Sequence, residues 1–525
     1  MRVLVSDKLS ETGLEILRAT PGFTVDVKTG MKPEELIAAI PAYDALIIRS
    51  ATTVTEAVVE AAANLKLIGR AGVGVDNVDV KASSKRGVVV MNTPGGNTIT
   101  TAEHTIAMMM ALSRQIPLAN ASVKSGKWEK KFMGSELSGK TLGVIGLGRI
   151  GSLVVRRAHG LDMKVIGHDP FINAAAAEKM GVELVTLDEL YARSDFITVH
   201  AILTPETKGL IGRESLGKMK KGVRIINCAR GALVDEEALA EAIRDKKVAG
   251  AALDVFCKEP PADSPLVGLD EVVATPHLGA STYEAQENVA VAIAKQVAGY
   301  FTTGIIENAV NVPSIAPELI PVMRPYVALG EKIGAFLAQI AEGGLKKIEV
   351  TYMGELAALG QGPVTQSVIK GILEVYVGKT VNFVNAPFLA EARGIEVTAT
   401  TSSVKRNFAS LLGLKLVTDG GEVSAEGAVF AGEEPRLVKL DDFFLEARLS
   451  GAMIVSTNND KPGVIGAIGT FLGGKSINIA SFELSRTEMG GKAMAIVTVD
   501  TPPTPDDIRE MEKIPNIRKV RLARV

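Results

Sequence analysis

Residues 141–151 read TLGVIGLGRIG, a short apolar run that opens into Gly146-x-Gly148-x-x-Gly151. Alone the glycine spacing is a weak signal; its setting between a strand and a helix makes it a specific one. The first glycine permits a tight turn, the second lets backbone approach a pyrophosphate, and the third lets the helix pack closely. The helix N-terminus then offers amides and a positive dipole end to phosphates. The next apolar run, KVIGHD, ends on Asp169, 18 residues past Gly151. A carboxylate there accepts from both ribose hydroxyls and repels a 2′-phosphate, which favours NAD over NADP.

Similar runs lie on either side: RVLVSD, DALIIRS, GVVVMN, FITVHA, VRIINC and GAALDV. Continuous Val/Ile runs alternating with helical patterns indicate parallel strands buried on both faces, hence an α/β, doubly wound class to about residue 310. Two prolines in VNVPSIAP mark a boundary near 311. A glycine-rich, mixed α/β stretch follows over 315–449. From Gly451 to Val525 the pattern is β-α-β-β-α-β, a ferredoxin-like unit. At 525 residues the chain accommodates three or four domains at roughly 150 residues each. A net charge of -2 gives no electrostatic case for nucleic acid or an anionic membrane. Two cysteines cannot form a disulfide framework, so a reducing, cytoplasmic setting is expected. Their spacing suggests no metal site.

A nicotinamide cofactor implies hydride transfer, and an alcohol or hydroxy acid then needs a base for its hydroxyl proton. The chain has five histidines: His104, His159, His168, His200 and His277. His159 is expected on a helix surface and His168 near the adenosine end. His104 lies within a helix. His200 and His277 follow strand ends, where ligands bind in such sheets, and lead on position. Asp254 and Glu259 are the nearby acids that could orient an imidazole. In NCARG (227–231), Arg230 ends a strand beside a glycine and is suited to bidentate binding of a carboxylate. Cys228 in the same stretch is expected to be a small residue lining the pocket rather than a nucleophile.

GLGRIG, VIGHDP, NCARGALVDE, GAALDVFCKEPP and TPHLGAST, with RAGVGVDNVD and NTPGGNTITTAEHT, together resemble the D-isomer-specific 2-hydroxyacid dehydrogenases. The resemblance covers about residues 1–311. It implies a Rossmann-like nucleotide domain, 99–281, inserted in a flavodoxin-like substrate domain, 1–98 plus 282–311. It implies that His277 takes the hydroxyl proton, that Glu259 orients it, and that Arg230 holds the carboxylate and the C2 oxygen. The same resemblance carries NAD contacts onto Gly146, Gly148, Arg149, Ile150, Gly151, Asp169, Cys228, Ala229, Arg230, Asp254, His277, Gly279 and Ala280. Ala201 stands where the family often has a polar residue, so any contact there is through backbone.

Arg49, Ser50, Arg70, Val73, Gly74 and Asn97 are the candidate substrate contacts. With the basic run KWEKKF (127–132), two arginines at strand ends suit a second anionic group such as a phosphate. The tail resembles the long-chain branch of the family that acts on 3-phosphoglycerate, with an intervening domain over 315–449 and an ACT domain over 451–525. In such units Asp460 and Asn478 match positions that bind L-serine between chains, which implies a feedback effector and a homo-oligomer, dimer or tetramer. The rival readings are a glyoxylate or hydroxypyruvate reductase and an NAD-sensing corepressor.

Overall fold

The computed structural model describes residues 1–313, 319–402 and 408–525. The expected boundary near 311–315 lies partly outside these.

Two parallel sheets build the first part. The first has five strands in the order Thr24–Val27, Arg2–Val5, Ala45–Ile48, Leu67–Arg70, Val89–Met91. The second has seven, in the order Val272–Ala274, Val248–Leu253, Val223–Asn227, Phe196–Val199, Thr141–Ile145, Lys164–His168, Glu183–Leu184. The central strands are buried along nearly their whole length, as their unbroken apolar runs require. Edge strands such as Thr24–Val27, with the sequence TVDV, are half exposed and mixed in composition, so the apolar-run criterion passes over them.

Two long helices connect the sheets. Thr98–Ser113 packs Ala102, Met108 and Met109 on the second sheet. Tyr283–Thr303 returns to the first, burying Val289, Ile293 and Val297 against Val3, Val5 and Leu67.

The second part is built on different lines. Six strands, Glu396–Ser402, Leu345–Gly354, Ser410–Thr418, Gly421–Phe430, Glu434–Leu440 and Phe443–Arg448, pair in that order, antiparallel except for the first pair. Helices Ile320–Ile340 and Gly362–Val377 pack on each other and on this sheet. The last unit has the expected β-α-β-β-α-β order, with strands Ile479–Arg486, Lys492–Val499, Ala452–Asn459 and Ile517–Arg524 side by side. Its Met453, Val455, Met494, Ile496 and Ala523 lie in the same apolar cluster as Phe336 and Leu414 of the unit before it. The sequence boundary near residue 450 is therefore not a break in the packing.

Candidate active site

The glycine loop has the geometry its sequence requires. Gly146 turns at φ +92, and a Cβ there would meet the His200 carbonyl carbon and oxygen at 2.7 Å. Gly148, the N-cap of helix Arg149–His159, faces open space on its Cβ side, which leaves the backbone free to meet a pyrophosphate. A Cβ at Gly151 would lie 2.0 Å from the Gly146 carbonyl, so the third glycine packs the helix against the turn. Asp169 is tied to this loop, one oxygen accepting from Leu147 N at 2.8 Å and the other from Phe171 N at 2.8 Å. The open amides and the adjacent acid fit NAD.

One buried carboxylate organises the neighbouring loop. Asp254 ends strand Val248–Leu253, and its side chain is fully buried. Its Oδ1 accepts from the Thr275 hydroxyl at 2.6 Å and Leu278 N at 2.7 Å, and its Oδ2 from Gly279 N at 2.8 Å. His104 Nε2 stands 3.2 Å from the same Oδ1. Burial pushes the Asp254 carboxyl up, but the His104, Thr275 and Leu278 hydrogen bonds outweigh it and hold the group below the usual carboxylate range. The Asp254 carbonyl also accepts from His277 N at 2.9 Å. These bonds hold His277 at φ +56, a left-handed conformation that costs a non-glycine residue energy and needs such support.

So fixed, His277 Nδ1 meets Glu259 Oε2 at 2.8 Å. Glu259 is itself oriented by Phe256 N, which donates to its Oε1 at 3.1 Å. The Glu259 bond raises the imidazole above the ordinary histidine range, against the opposing effect of burial. Glu259 feels burial upward and the His277 bond downward, with a net lowering. Nδ1 is occupied, so Nε2 is the nitrogen left for a substrate proton. A cavity of about 420 Å³ opens beside the pair, lined by Phe256, Pro261, Val267 and Pro276 among others.

Position alone ranked His200 with His277; the structure separates them. His200 Nε2 pairs with the Thr198 hydroxyl at 3.0 Å, and burial pushes its imidazole down to about 4. It has no carboxylate partner among the described residues, which removes it as the base. His159 is exposed and bonds the Met180 carbonyl, and His168 Nδ1 the Val185 carbonyl. Burial pushes the Cys228 thiol up to about 12, which makes a thiolate nucleophile unavailable.

Arg230 crosses to the first sheet. Asn227, fully buried, holds the NCARG turn by donating to the Arg230 carbonyl at 2.9 Å and accepting from Ala229 N at 3.0 Å. The guanidinium Nε then lies 3.0 Å from Asp76, on the glycine loop of the first sheet. A Cβ at Gly74 would come within 2.1 Å of Arg230 Nη2, so this approach needs glycine. Arg70 lies against Gly72 of the same loop. Burial first, and the neighbouring Arg230 second, push its guanidinium down to about 10, and its Nε is buried without a hydrogen-bond partner. Arg49, the third arginine of the group, is held through its backbone. Its N–H donates to Asp7 at 2.6 Å, and its carbonyl accepts from Asn77 at 2.7 Å. Ser50 beside it is exposed. Asn97 caps helix Thr98–Ser113 without a side-chain bond to it, and its Oδ1 is buried and unpartnered. In KWEKKF, Glu129 pairs with Lys131 at 3.1 Å and accepts from Ser122.

The sequence alone did not point to Asp7, Asp76, Asn77 or Asn227. Asp76 had one usable signal, a carboxylate two residues past a glycine that the fold brings beside Arg230; the others act through backbone bonds that leave no pattern.

In the last unit the two candidate effector residues are separately engaged. Asp460 accepts from Gly490 N at 2.9 Å and pairs with Arg486 at 2.9 Å, whereas Asn478 donates to Asp500 at 2.6 Å.

Comparison with known proteins follows the same division. Residues 106–279 match the model for the D-isomer specific 2-hydroxyacid dehydrogenase NAD binding domain. Residues 322–441 match the D-3-phosphoglycerate dehydrogenase intervening domain, and 453–516 the ACT domain. D-3-phosphoglycerate dehydrogenase from Archaeoglobus fulgidus is 47% identical over 98% of both chains. The chain belongs to the D-3-phosphoglycerate dehydrogenase family. The enzyme of that name from Bacillus subtilis is 41% identical over 99% of both chains. Two solved structures are similar over part of this chain. A glyoxylate reductase from Paecilomyes thermophila aligns with a TM-score of 0.55 and 29% identity over 59% of this chain and 98% of its own. D-lactate dehydrogenase from Aquifex aeolicus, complexed with NAD and lactic acid, gives 0.53 and 28% over 59% and 100%.

Proposed function

We infer that this chain oxidises 3-phospho-D-glycerate to 3-phosphohydroxypyruvate with NAD, opening the phosphorylated route to L-serine. Full-length similarity to enzymes of that name carries the reading. The His277–Glu259 pair, with Arg230, Arg70 and Arg49 grouped across the cleft, supports it. The Gly146–Gly151 loop, Asp169 and the segment from His277 to Ala280 would hold NAD, which would supply the hydride acceptor. His277 Nε2 takes the C2 hydroxyl proton. Glu259 stabilises the resulting imidazolium through Nδ1. Arg230 binds the carboxylate and polarises the oxygen at C2, which orients the reacting carbon. Arg49, Ser50, Arg70, Val73, Gly74 and Asn97 receive the rest of the substrate, the arginines taking the phosphate. The test is NAD reduction with glycerate and 3-phosphoglycerate side by side. Equal kcat/KM would refute the phosphate-specific reading in favour of a glyoxylate or hydroxypyruvate reductase.

The domain limits we propose are 1–98 with 282–311, 99–281, 315–449 and 451–525. We further propose a homodimer through the nucleotide domains, with a tetramer as the larger form. Helix Ile116–Lys124 buries no residue within the chain, and Ile116, Val123, Trp128 and Met133 are each more than half exposed. Trp128 is the single tryptophan, so its emission reports burial; light scattering that gives a monomer would reject the dimer. L-serine at Asp460 and Asn478 is proposed as the effector, bound where two ACT units meet. Isothermal titration without binding at millimolar serine would remove it. No described helix is long and apolar enough to cross a membrane. A cytoplasmic location is proposed from the low cysteine content, with cell fractionation as its check.

A further inference from the structure

Segment 381–386, VNFVNA, leaves the intervening unit and docks on the first sheet. Its two asparagines wind the turn. Asn385 Oδ1 accepts from Asn382 N at 2.7 Å, and Asn382 Oδ1 accepts from Val384 N and Asn385 N at 3.0 and 3.1 Å. With its acceptor so used, Asn382 turns its Nδ2 outward and donates to the Gly87 carbonyl at 2.9 Å. Gly87 closes helix Val80–Arg86 at φ +81, and a Cβ there would lie 2.4 Å from that nitrogen. Val384, 2% exposed, is inserted into the same apolar cluster as Val89 and Met91. Asn311 holds the same corner. Its Oδ1 accepts from Val90 N at 2.9 Å, and its Nδ2 donates to the Val88 carbonyl at 2.8 Å.

The unit gripped here, helix Val80–Arg86 with strand Val89–Met91, carries the glycine loop at its other end. The helix begins just past that loop, capped by Asp79. After the strand, Asn92 Nδ2 donates to the Val73 carbonyl, and Thr93 N donates to the Gly72 carbonyl at 2.9 Å. A seven-residue helix is about 10 Å long, so the grip stands one short rigid element away from residues 72–74.

We propose that segment 381–386 is a clamp through which the intervening unit positions the substrate loop. Asn382 and Val384 are positioning residues, which act on substrate binding through the unit 80–92 without touching substrate. The inference rests on the assignment of Val73 and Gly74 to the substrate. Contact alone does not establish coupling, so the test measures it directly.

In the full-length enzyme Asn382→Ala removes the bond to Gly87 together with the turn's acceptor, and the Gly87 bond alone has a net strength equivalent to roughly a three- to tenfold change. KM for 3-phosphoglycerate should rise by that factor, with the NAD dissociation constant within twofold of wild type. Amide hydrogen exchange over 72–93 should quicken while that over 141–151 stays unchanged. Asn382→Asp, which keeps the turn's acceptor and sets a carboxylate oxygen against the Gly87 carbonyl in place of the donor, breaks the same bond if the alanine variant does not fold. Asn92→Ala cuts the side-chain link at the loop and leaves the Thr93 backbone bond. The double variant Asn382→Ala/Asn92→Ala should raise KM by less than the product of the two single effects. Additive effects on KM would overturn the clamp, as would unchanged exchange. Faster exchange with an unchanged KM would overturn the link to substrate and point to the assignment of Val73 and Gly74 as the step that failed.

Discussion

The two parts of the chain place their chemistry and their stability differently. In the first 313 residues both sheets are parallel, and the site residues lie in loops past strand C-terminal ends: Arg49, Gly146, Arg230, Asp254 and His277. In the rest the sheets are mostly antiparallel, and one apolar cluster runs through both units. The first part is organised around polar residues that fix loops, the second around a shared core. Catalysis should therefore be sensitive to single polar changes in the first part, and cooperativity of unfolding to single apolar changes in the second.

His277→Asn tests the first half of that statement and should give the largest effect. Removing a general base costs about 10²–10⁴ in kcat. The His277 backbone bond to Asp254 is independent of the imidazole, so NAD affinity should change less than twofold. Retained turnover would reject His277 as base. Phe336→Ala tests the second half. Phe336 is fully buried in the shared cluster, and its truncation should cost about 3–5 kcal/mol. Because that cluster spans both C-terminal units, calorimetry should show them unfolding together at a lower temperature. Separate transitions for the two would break the comparison.

The difference also decided what the sequence could convey. Buried parallel strands announce themselves as unbroken runs such as TLGVIG and VRIINC. The glycine loop is legible because each glycine answers a steric demand. The last unit is legible from its element order. The shared core is not: Met453 and Phe336 are ordinary apolar residues, and nothing in their spacing says they meet. Nor could position distinguish His200 from His277. What separates them is a carboxylate at 2.8 Å in one case and none in the other, a tertiary fact. Asp254 was legible as a strand-end acid, but the loop that it ties together could not be read.

Glu259→Gln is a smaller perturbation within the first part. The carboxylate raises the His277 imidazole, so its loss should lower that pKa. Oxidation needs neutral His277, so the acid limb of kcat/KM should move to lower pH while the plateau falls, by roughly ten- to a hundredfold. Stability moves with it. The His277 contribution is complete below the unfolded imidazole pKa and is lost as pH rises through the raised folded value. The Glu259 contribution is present above the unfolded carboxyl pKa and is lost as pH falls through the lowered one. Wild type should therefore exceed the variant most between those limits. An unmoved acid limb would mean that another group sets the profile.

The smallest effect is expected where the ion pairs are most conspicuous. Glu342, at the end of the helix Ile320–Ile340, meets Lys519 at 2.9 Å and pairs with Arg521 of the last strand. These bonds hold its carboxyl at about 2. The stabilisation from its lowered pKa is thus present above the ordinary carboxyl range and lost as pH falls through about 2. All three side chains are nevertheless a third to a half exposed, where solvent screening leaves ion pairs little net effect. Glu342→Gln should shift Tm by less than about 2 °C and leave the two C-terminal units unfolding together. If this one change uncoupled them while Phe336→Ala did not, the junction would be held by charge at its rim, and the contrast between a polar-organised first part and an apolar-organised second would fail.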